Sequence, residues 1–498
     1  MKNFIVALVL LTSAYSINAQ FEGSSFTSTG RGGATTFATD YQAVGINPAN
    51  LGWEYKFDGK KVALGFSEMT YSIHSEALSK EELRQSIRDM ISGNDEEFTY
   101  DQKIEAAQDF ANKGIAFNAD LGSIGFAYMN ETIGGIGFRI NDRIQFYSIL
   151  GEQASDLFFK GRTSSYFDIL TYVDTTGLMN DTTLIANHGN LDPDSAMNVI
   201  SGQASVPLRF SELFEGSQIS MSWTREYNLS YGRKLIGLDS TFMLYGGVGV
   251  KFVQGMAMLD LESDGTNLTA FSATSPAFGI DYGDAANTNP SAITQSNGGF
   301  LPQPVGRGWG FDLGFNAVIK NKLKVGVAVT NIGSVNWDGN VYTAKDTLVY
   351  DTESAGLDSY NVLNQVGRLV GDQGLFEWNG LASKRVKLPT TFRAGASLRF
   401  NEKIEIGCDL LLPTNTVPGS LEGALFGLGA DITPIPWLNL SGGFVTGGNY
   451  DFQIPIGITL IAKNGSYEVG VASRDAITFF AQNGPTLSMS MGFMRFRF

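Results

Sequence analysis

Residues 309–331 read WGFDLGFNAVIKNKLKVGVAVTN, and this stretch decides the fold. Apolar side chains alternate with glycine or polar residues from Trp309 to Ile319, and the alternation resumes at Leu323. A period of two is typical of a β-strand with two different faces. The three residues between the two runs are polar and predict a short turn, so the stretch is a β-hairpin. Each arm has about ten residues, the length that a tilted strand needs to cross a hydrocarbon layer.

The composition favours a sheet whose faces meet lipid and a crowded interior. The 498 residues include 59 Gly, 35 Phe and 18 Tyr, and only 17% are charged. Such a glycine-rich, aromatic, charge-poor chain is typical of membrane barrels. The formal net charge of −15 argues against a nucleic-acid partner. The single cysteine, Cys408, excludes a disulfide within the chain and is interpreted as a small apolar strand residue.

The N-terminus predicts export. Residues 1–19 contain Lys2, an apolar run and a small-residue end at Ala19, which is the pattern of a secretory signal peptide. Gln20 is not a cysteine, which argues against lipoprotein anchoring there. No later apolar run approaches the roughly twenty residues of a spanning helix. The processed chain is therefore either soluble outside the inner membrane or a β-barrel in the cell outer membrane.

Similar alternating segments recur down the chain, and the connections between them alternate in length. Short connections are expected around 234–239, 320–322, 401–403, 433–436 and 463–466. Long loops are expected at 75–114, 151–218, 262–308 and 332–387. Short periplasmic turns opposite long external loops are typical of bacterial outer-membrane barrels. We therefore predict an all-β, transmembrane, antiparallel up-and-down β-barrel of about 14 strands over residues 61–498. Between 115 and 150 the β segments are expected to break at Gly134-Gly135 and at Asn141-Asp142, so the number of strands there stays open.

The first long loop is expected to be a helical extracellular excursion. Ser79 with Glu82 and Thr99 with Gln102 are capping boxes ahead of amphipathic runs. The two helices are expected to pack on each other and on the barrel rim, with a mobile lid as the alternative.

Residues 20–60 form a glycine-rich N-terminal segment. It contains GRGGA at 30–34, then Asp40, then Asn47, Pro48 and Ala49. In this order the motifs resemble the start of FadL-type outer-membrane barrels and of the PorV-like barrels of Bacteroidetes. The resemblance implies a 14-stranded barrel in which this segment is a hatch, with Asn47, Pro48 and Ala49 in the lumen. The alternative is a lead-in whose Asn-Pro makes a turn.

The last strand is predicted to contain a bulge. Alternate residues are apolar up to Phe493, and the parity changes before Met494, Phe496 and Phe498. A terminal strand that ends in phenylalanine resembles the signal read by the barrel-assembly machinery. The change of parity predicts a β-bulge between Phe493 and Arg495.

Alternation also predicts which charged side chains enter the lumen. Four of them lie on the hairpin 388–412, namely Arg393, Arg399, Glu405 and Asp409. Folding this hairpin sets Arg399 opposite Glu405 as a cross-strand pair of opposite charge. We interpret the pair as a structural contact that fills the lumen, with a substrate contact as the alternative. Arg225 interrupts an outward apolar series and is expected near a rim or a bulge.

The sequence does not favour an enzyme. The two histidines, His74 and His188, have no metal-ligand spacing. Asp281 and Asp284 lie in a loop that could bind calcium, although ordinary loop turns explain them better. We therefore predict no catalytic residue, no metal and no cofactor.

Two functions stay open. The first is a FadL-like barrel that passes or binds hydrophobic small molecules, in contact with outer-membrane lipid. The second is a PorV-like, non-enzymatic partner barrel that binds other outer-membrane or secretion proteins in a Bacteroidetes assembly such as type IX secretion. A continuous apolar pocket in the lumen would favour the first, and a stoichiometric protein partner the second.

Overall fold

The computed structural model describes residues 25–53, 59–92, 97–130, 132–174, 181–189, 191–238, 241–293, 302–359, 376–421, 423–448, 450–480 and 486–498. The predicted signal peptide at residues 1–19 lies outside these ranges. Within them, no helix combines the length and the apolar character needed to cross a membrane.

Fourteen strands pair edge to edge in a closed antiparallel barrel, as predicted. They are β1 Val62–Ser75, β2 Ile115–Asn130, β3 Gly134–Ile149, β4 Gln218–Leu238, β5 Phe242–Ser263, β6 Gly306–Ile319, β7 Leu323–Trp337, β8 Thr391–Asn401, β9 Ile404–Pro413, β10 Leu425–Ile435, β11 Leu438–Gly447, β12 Ile456–Ala462, β13 Tyr467–Ser473 and β14 Thr486–Arg497. Each strand pairs with its sequence neighbours, and β1 also pairs with β14, which closes the sheet. The short turns lie at the end of the barrel that carries the C-terminus, and the long loops lie at the other end.

The hairpin of β6 and β7 shows why these residues form strands. On β6, Trp309, Phe311 and Leu313 are 58%, 55% and 43% exposed on the outer face, while the intervening residues are buried inside. An apolar outer face is stable only against lipid, so the alternation decides which residues face the lipid and which face the lumen. The turn residues Lys320 and Asn321 have φ of 51° and 52°, the left-handed conformation that matches the twist of a tight hairpin.

The long loops fold together into a cap over one end of the barrel, here called the loop cap. Both predicted helices are present in it, Lys80–Ser92 and Tyr100–Phe110, each with its capping box. A separate four-stranded sheet lies in the cap, made of Leu348–Thr352, Val199–Arg209, Ile169–Asp174 and Asp181–Ala186 in that spatial order. The largest buried apolar cluster lies mainly in the loop cap and continues onto the barrel strands at Phe146, Ile219, Leu259 and Leu261.

The remaining elements are short. The helical ones are Phe26–Thr29, Asp40–Ala43, Pro48–Gly52, Glu152–Lys160, Gly161–Thr163, Pro193–Met197, Phe210–Leu213, Pro276–Phe278, Asp284–Thr288 and Ile477–Phe479. The extended ones are Leu268–Thr274, Val341–Ala344, Trp378–Gly380, Lys384–Lys387 and Tyr450–Gln453.

Several predicted boundaries were wrong. Residues 115–150 form two strands of 16 residues, and β3 runs through Asn141 and Asp142 without a break. The connection expected at 234–239 is largely strand, because β4 continues to Leu238. The loop expected at 151–218 has the predicted bounds, since β3 ends at Ile149 and β4 begins at Gln218, but it contains three strands of the cap sheet. The loop expected at 262–308 is shorter than predicted, because β5 continues to Ser263 and β6 begins already at Gly306. The loop expected at 332–387 begins later than predicted, because β7 continues to Trp337.

Two irregular positions were predicted correctly. In the pairing of β13 with β14 the register shifts between Glu468 and Gly470, and Phe493 and Met494 both face outward. Arg225 lies next to the register shift that separates Trp223 from Thr224. The first bulge changes the parity of β14, whereas at the second the extra residue, Met256, lies on β5 and Arg225 stays on the same face as Trp223.

Candidate functional site in the barrel lumen

The candidate site is built around residues 25–53, here called the lumen segment, which packs against the inner faces of strands all around the barrel. Three strand glycines show how close the approach is. A Cβ at Gly314 would touch Asn47, one at Gly429 would overlap the carbonyl of Arg31, and one at Gly492 would meet the ring of Phe26. Glycine is needed at such positions because the two backbones lie almost in contact.

The three residues of the NPA motif lie fully buried inside the barrel. Asn47 caps the short helix Pro48–Gly52, its side chain accepting a hydrogen bond from the Ala49 amide (3.1 Å), and Asn47 Nδ2 donates to the Phe315 carbonyl on β6 (3.5 Å). Pro48 packs on Gly247 of β5. The motif therefore both shapes the segment and attaches it to the wall.

An ion cluster ties the lumen segment to the last two strands. Asp40 Oδ2 lies 2.5 Å from Arg495 Nη2 and 3.1 Å from Arg497 Nη2. Glu468 on β13 completes the cluster, 2.9 Å from Arg495 Nη1 and 2.6 Å from Arg497 Nη1. Two cations thus meet two anions at a site with almost no solvent contact, where partial pairing would be costly.

The sequence reasoning missed this cluster. Asp40 was noted only as part of a motif, and Arg495 and Arg497 only as residues that alternate with apolar ones. The signal was present, because the change of parity in β14 turns Arg495 and Arg497 inward. Two inward arginines require buried acids nearby.

A second attachment uses Asp409, one of the predicted lumen residues. Its Oδ2 accepts hydrogen bonds from the amides of Ala34 (2.6 Å) and Thr35 (2.8 Å), so the carboxylate holds a turn of the lumen segment. Arg393, also predicted to face the lumen, is buried. Together with Asp409 it lines a small cavity of about 40 Å³.

The other two predicted residues lie nearer the turn end. Arg399 and Glu405 are register partners, and Arg399 Nε lies 3.5 Å from Glu405 Oε2. Glu405 is also bound by Lys324, whose Nζ lies 2.9 Å from Oε1. The same ammonium sits 5.0 Å from the centre of the Trp53 ring. Lys324 was not among the residues predicted to face the lumen, although the alternation of β7 directs its side chain inward.

A cavity of about 520 Å³ lies between the lumen segment and the turn end of the barrel. One part of its wall is apolar, formed by Trp53, Met243, Tyr245 and Val318. The other part is charged, and its lining residues include Arg31, Lys234, Lys324, Arg399, Glu405, Asp431, Glu468, Arg495 and Arg497. The lining contains six cationic and three anionic side chains, so this space favours anions.

The lumen segment separates this cavity from a second polar layer and from the loop cap. In the polar layer Lys251 Nζ lies 3.2 Å from Asp312 and 3.7 Å from Glu226. Above it, the cap is closed by stacked aromatic rings, with Tyr282 and Tyr342 3.8 Å apart between centroids. Burial raises the pKa of Tyr282 to about 12, so its hydroxyl stays protonated beside Ser272.

The two loop aspartates considered for calcium do not form a site in the described ranges, where no group of three His, Cys, Asp or Glu side chains could hold a metal ion. Asp281 instead accepts a hydrogen bond from the Gly283 amide (2.9 Å), an ordinary loop turn. His74 shares a hydrogen bond with the Thr486 hydroxyl (2.9 Å) and His188 lies in the loop cap.

Several solved structures have a similar course of chain. The toluene transporter TodX of Pseudomonas putida is 10% identical over 97% of this chain and 98% of its own, with a TM-score of 0.38. The toluene transporter TbuX of Ralstonia pickettii is 10% identical over 96% and 98%, with a TM-score of 0.42. A FadL homologue of Pseudomonas aeruginosa is 11% identical over 97% and 98%, with a TM-score of 0.37. Scores this low carry no argument about function.

A search of curated proteins finds no match. The model of one protein family, described as a family of unknown function (DUF5723), matches residues 183–464, which is more than half of the chain. The matched part runs from the sheet of the loop cap to the turn after β12. On this evidence the chain belongs to the DUF5723 family of unknown function.

Proposed function

We propose that this protein is a non-enzymatic outer-membrane barrel that binds and passes small amphipathic molecules, with the lumen segment as its hatch. The cavity of about 520 Å³ is the observation that carries the proposal. Its volume is within the range of small-molecule sites. Arg31 is paired with Asp431 (2.5 Å), whereas Lys324 and Arg399 share one carboxylate, Glu405, and Lys234 adds a further cation to the lining. The apolar wall beside Trp53 and this surplus of positive charge suit a molecule with an apolar body and one anionic group.

The attachment of the lumen segment supports a hatch that must move. The described contacts between the segment and the wall are hydrogen bonds, ion pairs and packing, with Asp409 and Asp40 as the principal carboxylate anchors. All of these can break and reform without covalent change. Because the segment lies between the cavity and the loop cap, a molecule can cross the lumen only if the segment shifts.

A reversible cross-link tests the hatch directly. A Cβ built on Gly33 would lie 3.4 Å from the Cβ of Asp409, close to the separation found in disulfides. We therefore suggest Gly33→Cys with Asp409→Cys in a Cys408→Ser background, so that the only two thiols face each other. The two single-cysteine variants in the same background are matched controls. The measurement is the uptake of radiolabelled dodecanoate by cells, before and after reduction with dithiothreitol.

Oxidised double-cysteine barrels are expected to block uptake, and reduction is expected to restore it in the same cells. The single-cysteine controls should respond to neither treatment. Equal uptake in the oxidised and reduced states would show that the lumen segment is not a hatch. If cells with the wild-type protein take up dodecanoate and toluene no faster than cells without it, the passage function itself is wrong.

A second candidate function is docking of another protein, and a specific feature of the loop cap favours it. Val206 and Tyr350 lie on two adjacent, paired strands of the cap sheet and are 76% and 57% exposed. Apolar side chains exposed together on a sheet are typical of interaction surfaces. Val206→Lys should then release a stoichiometric partner that otherwise co-purifies with the wild-type barrel after mild solubilisation. If nothing co-purifies with the wild type, this candidate is excluded.

A further inference from the structure

A row of polar side chains crosses the outer face of the barrel near the loop cap. Arg225 on β4, Gln254 on β5, Arg307 on β6 and Asn336 on β7 are successive register partners. The short strand Lys384–Lys387 continues the row with Arg385, which pairs with Asn336. Five neighbouring strands therefore present polar groups at one height, on a face that is otherwise apolar.

Directly below this row, toward the short turns, lies a row of aromatic side chains. Tyr227, Phe252 and Trp309 are register partners on β4, β5 and β6. Phe252 lies 6.2 Å from Tyr227 and 5.2 Å from Trp309 between ring centres. Aromatic girdles mark the two interfaces of a membrane barrel. The polar row therefore lies at the level of the lipid headgroups, on the side of the long loops.

The cations of this row differ in whether they are neutralised. Arg225 makes a bidentate contact with Asp142 on β3, with Nη2 2.9 Å and Nε 3.1 Å from Oδ2. Arg307, Arg385 and Lys387 are exposed and form no ion pair with any residue that the structure describes, Arg385 only donating to the Ser334 hydroxyl (2.7 Å). These three cations are here called the outer-face cations.

We propose that the outer-face cations bind a phosphate group of a lipid headgroup in the outer leaflet of the membrane. Arg307 and Arg385 flank Asn336 from both sides, about 10 Å apart at the backbone given the usual spacing of strands. Arginine forks and a lysine ammonium converge on phosphate with charge-assisted hydrogen bonds. Asp338, two residues beyond Asn336, is also exposed. Its single negative charge against the three outer-face cations leaves the cluster with a surplus of positive charge.

The position of Trp309 explains why a lipid, and not free phosphate, is the expected source. Its ring is 58% exposed one row below Arg307, with Phe311 beneath it on the same face. A ligand held there by its phosphate brings its apolar part onto these rings. The inference rests on the proposed outer-membrane placement, which puts the long loops and this row on the outside.

The test compares two variants with the same loss of charge. The site variant carries Arg307→Gln, Arg385→Gln and Lys387→Gln. The control carries Lys320→Gln, Lys322→Gln and Lys403→Gln, all exposed residues at the turn end of the barrel. Each protein, purified in dodecyl maltoside, is titrated with diphosphorylated lipid A and analysed by native mass spectrometry. Dephosphorylated lipid A and inorganic phosphate are titrated separately, and a heat-modifiability gel verifies that each barrel is folded.

The wild type and the turn-end control are expected to bind diphosphorylated lipid A with similar affinity, and the site variant roughly tenfold more weakly, since several charge-assisted hydrogen bonds are lost. Dephosphorylated lipid A should bind all three proteins equally weakly. Equal binding of diphosphorylated lipid A by the site variant and the wild type would overturn the site. If inorganic phosphate alone competes fully with the lipid, the lipid assignment is wrong.

The same variants keep this inference distinct from the proposed function. The outer-face cations lie outside the lumen, so dodecanoate uptake by the site variant should match the wild type. Loss of lipid binding with normal uptake supports the site alone. Normal lipid binding in a protein that passes nothing leaves the lipid site standing and removes the passage function.

Discussion

The carboxylate of Asp40 lies 3.1 Å from the guanidinium of Arg497, although 457 positions separate the two residues. One belongs to the lumen segment and the other to the final strand, and neither has appreciable solvent contact. Asp40 also adopts a left-handed backbone conformation, with φ of 51°. This contact therefore ties the start of the described chain to the strand that closes the barrel.

Removing this carboxylate should loosen the lumen segment. Asp40→Asn leaves Glu468 as the remaining carboxylate of the cluster for both Arg495 and Arg497, and breaking a buried pair costs about 3–5 kcal/mol. We expect faster protease cleavage within residues 25–53 and a lower urea midpoint. Asp40→Asn combined with Arg497→Gln restores the balance of charge and should be less destabilising than the sum of the single changes. Additive effects would argue against the ion cluster.

The contact between Gly314 and the lumen segment is predicted to tolerate no side chain. Gly314→Ala places a methyl group against Asn47, and overpacking of this kind costs about 1–3 kcal/mol. Gly423→Ala is the matched control, because nothing lies within 4 Å of its Cβ. Urea unfolding in detergent micelles measures both. Equal midpoints for the two variants would mean that the segment does not pack on β6 as described.

The lipid-facing surface can be tested with one added charge. Leu313 lies in the middle of the apolar face of β6 and Phe400 lies beside a short turn, and both are exposed. Lysine costs about 2–4 kcal/mol at the centre of a bilayer and about 0–1 kcal/mol near its edge. We expect Leu313→Lys to destabilise the barrel in liposomes by the larger amount and Phe400→Lys by the smaller. The reverse order would place the membrane elsewhere on the barrel.

The loop cap should respond to acid through Asp156. Burial raises the pKa of this carboxyl, but hydrogen bonds from Lys160, Ser164 and Ser165 outweigh it, and the pKa is lowered. A lowered pKa in the folded state stabilises the cap above the pKa of the unfolded chain, near 4, and this stabilisation is lost as the pH falls through the folded-state value.

Asp156→Asn should therefore make the cap easier to cleave by protease at neutral pH. Its difference from the wild type should shrink as the pH falls below about 4, and should vanish only below the lowered folded-state pKa, where the native carboxyl becomes protonated. Asp194→Asn, an exposed aspartate of the same cap, is the control. A difference that is constant with pH would contradict the assignment.

The barrel strands could be predicted because their signal is local. In the hairpin of β6 and β7 each residue faces lipid or lumen according to its parity, so the sequence alone reveals the strand. The break expected at Asn141 and Asp142 was wrong for a reason outside the local sequence. Asp142 is neutralised on the outer face by Arg225, and Asn141 accepts an inward hydrogen bond from Asn228.

The cap sheet could not be predicted, because its order joins distant parts of the chain. Leu348–Thr352 pairs with Val199–Arg209, and these short strands lack the regular alternation of the barrel. Their stability comes from the shared aromatic core, including Phe210 and Phe376. Only a folded chain brings those groups together.

By itself the sequence determined the all-β architecture and the two ends of the barrel, because period-two alternation and loop length are properties of neighbouring residues. The structure then fixed the number of strands between 115 and 150 at two. Only the tertiary structure decided which charges meet. Asp40 meets Arg495 and Arg497, Asp409 holds a turn of the lumen segment, and Arg307 pairs with no carboxylate among the residues that the structure describes. Pairing between side chains far apart in sequence depends on strand register and barrel closure, which no local pattern encodes.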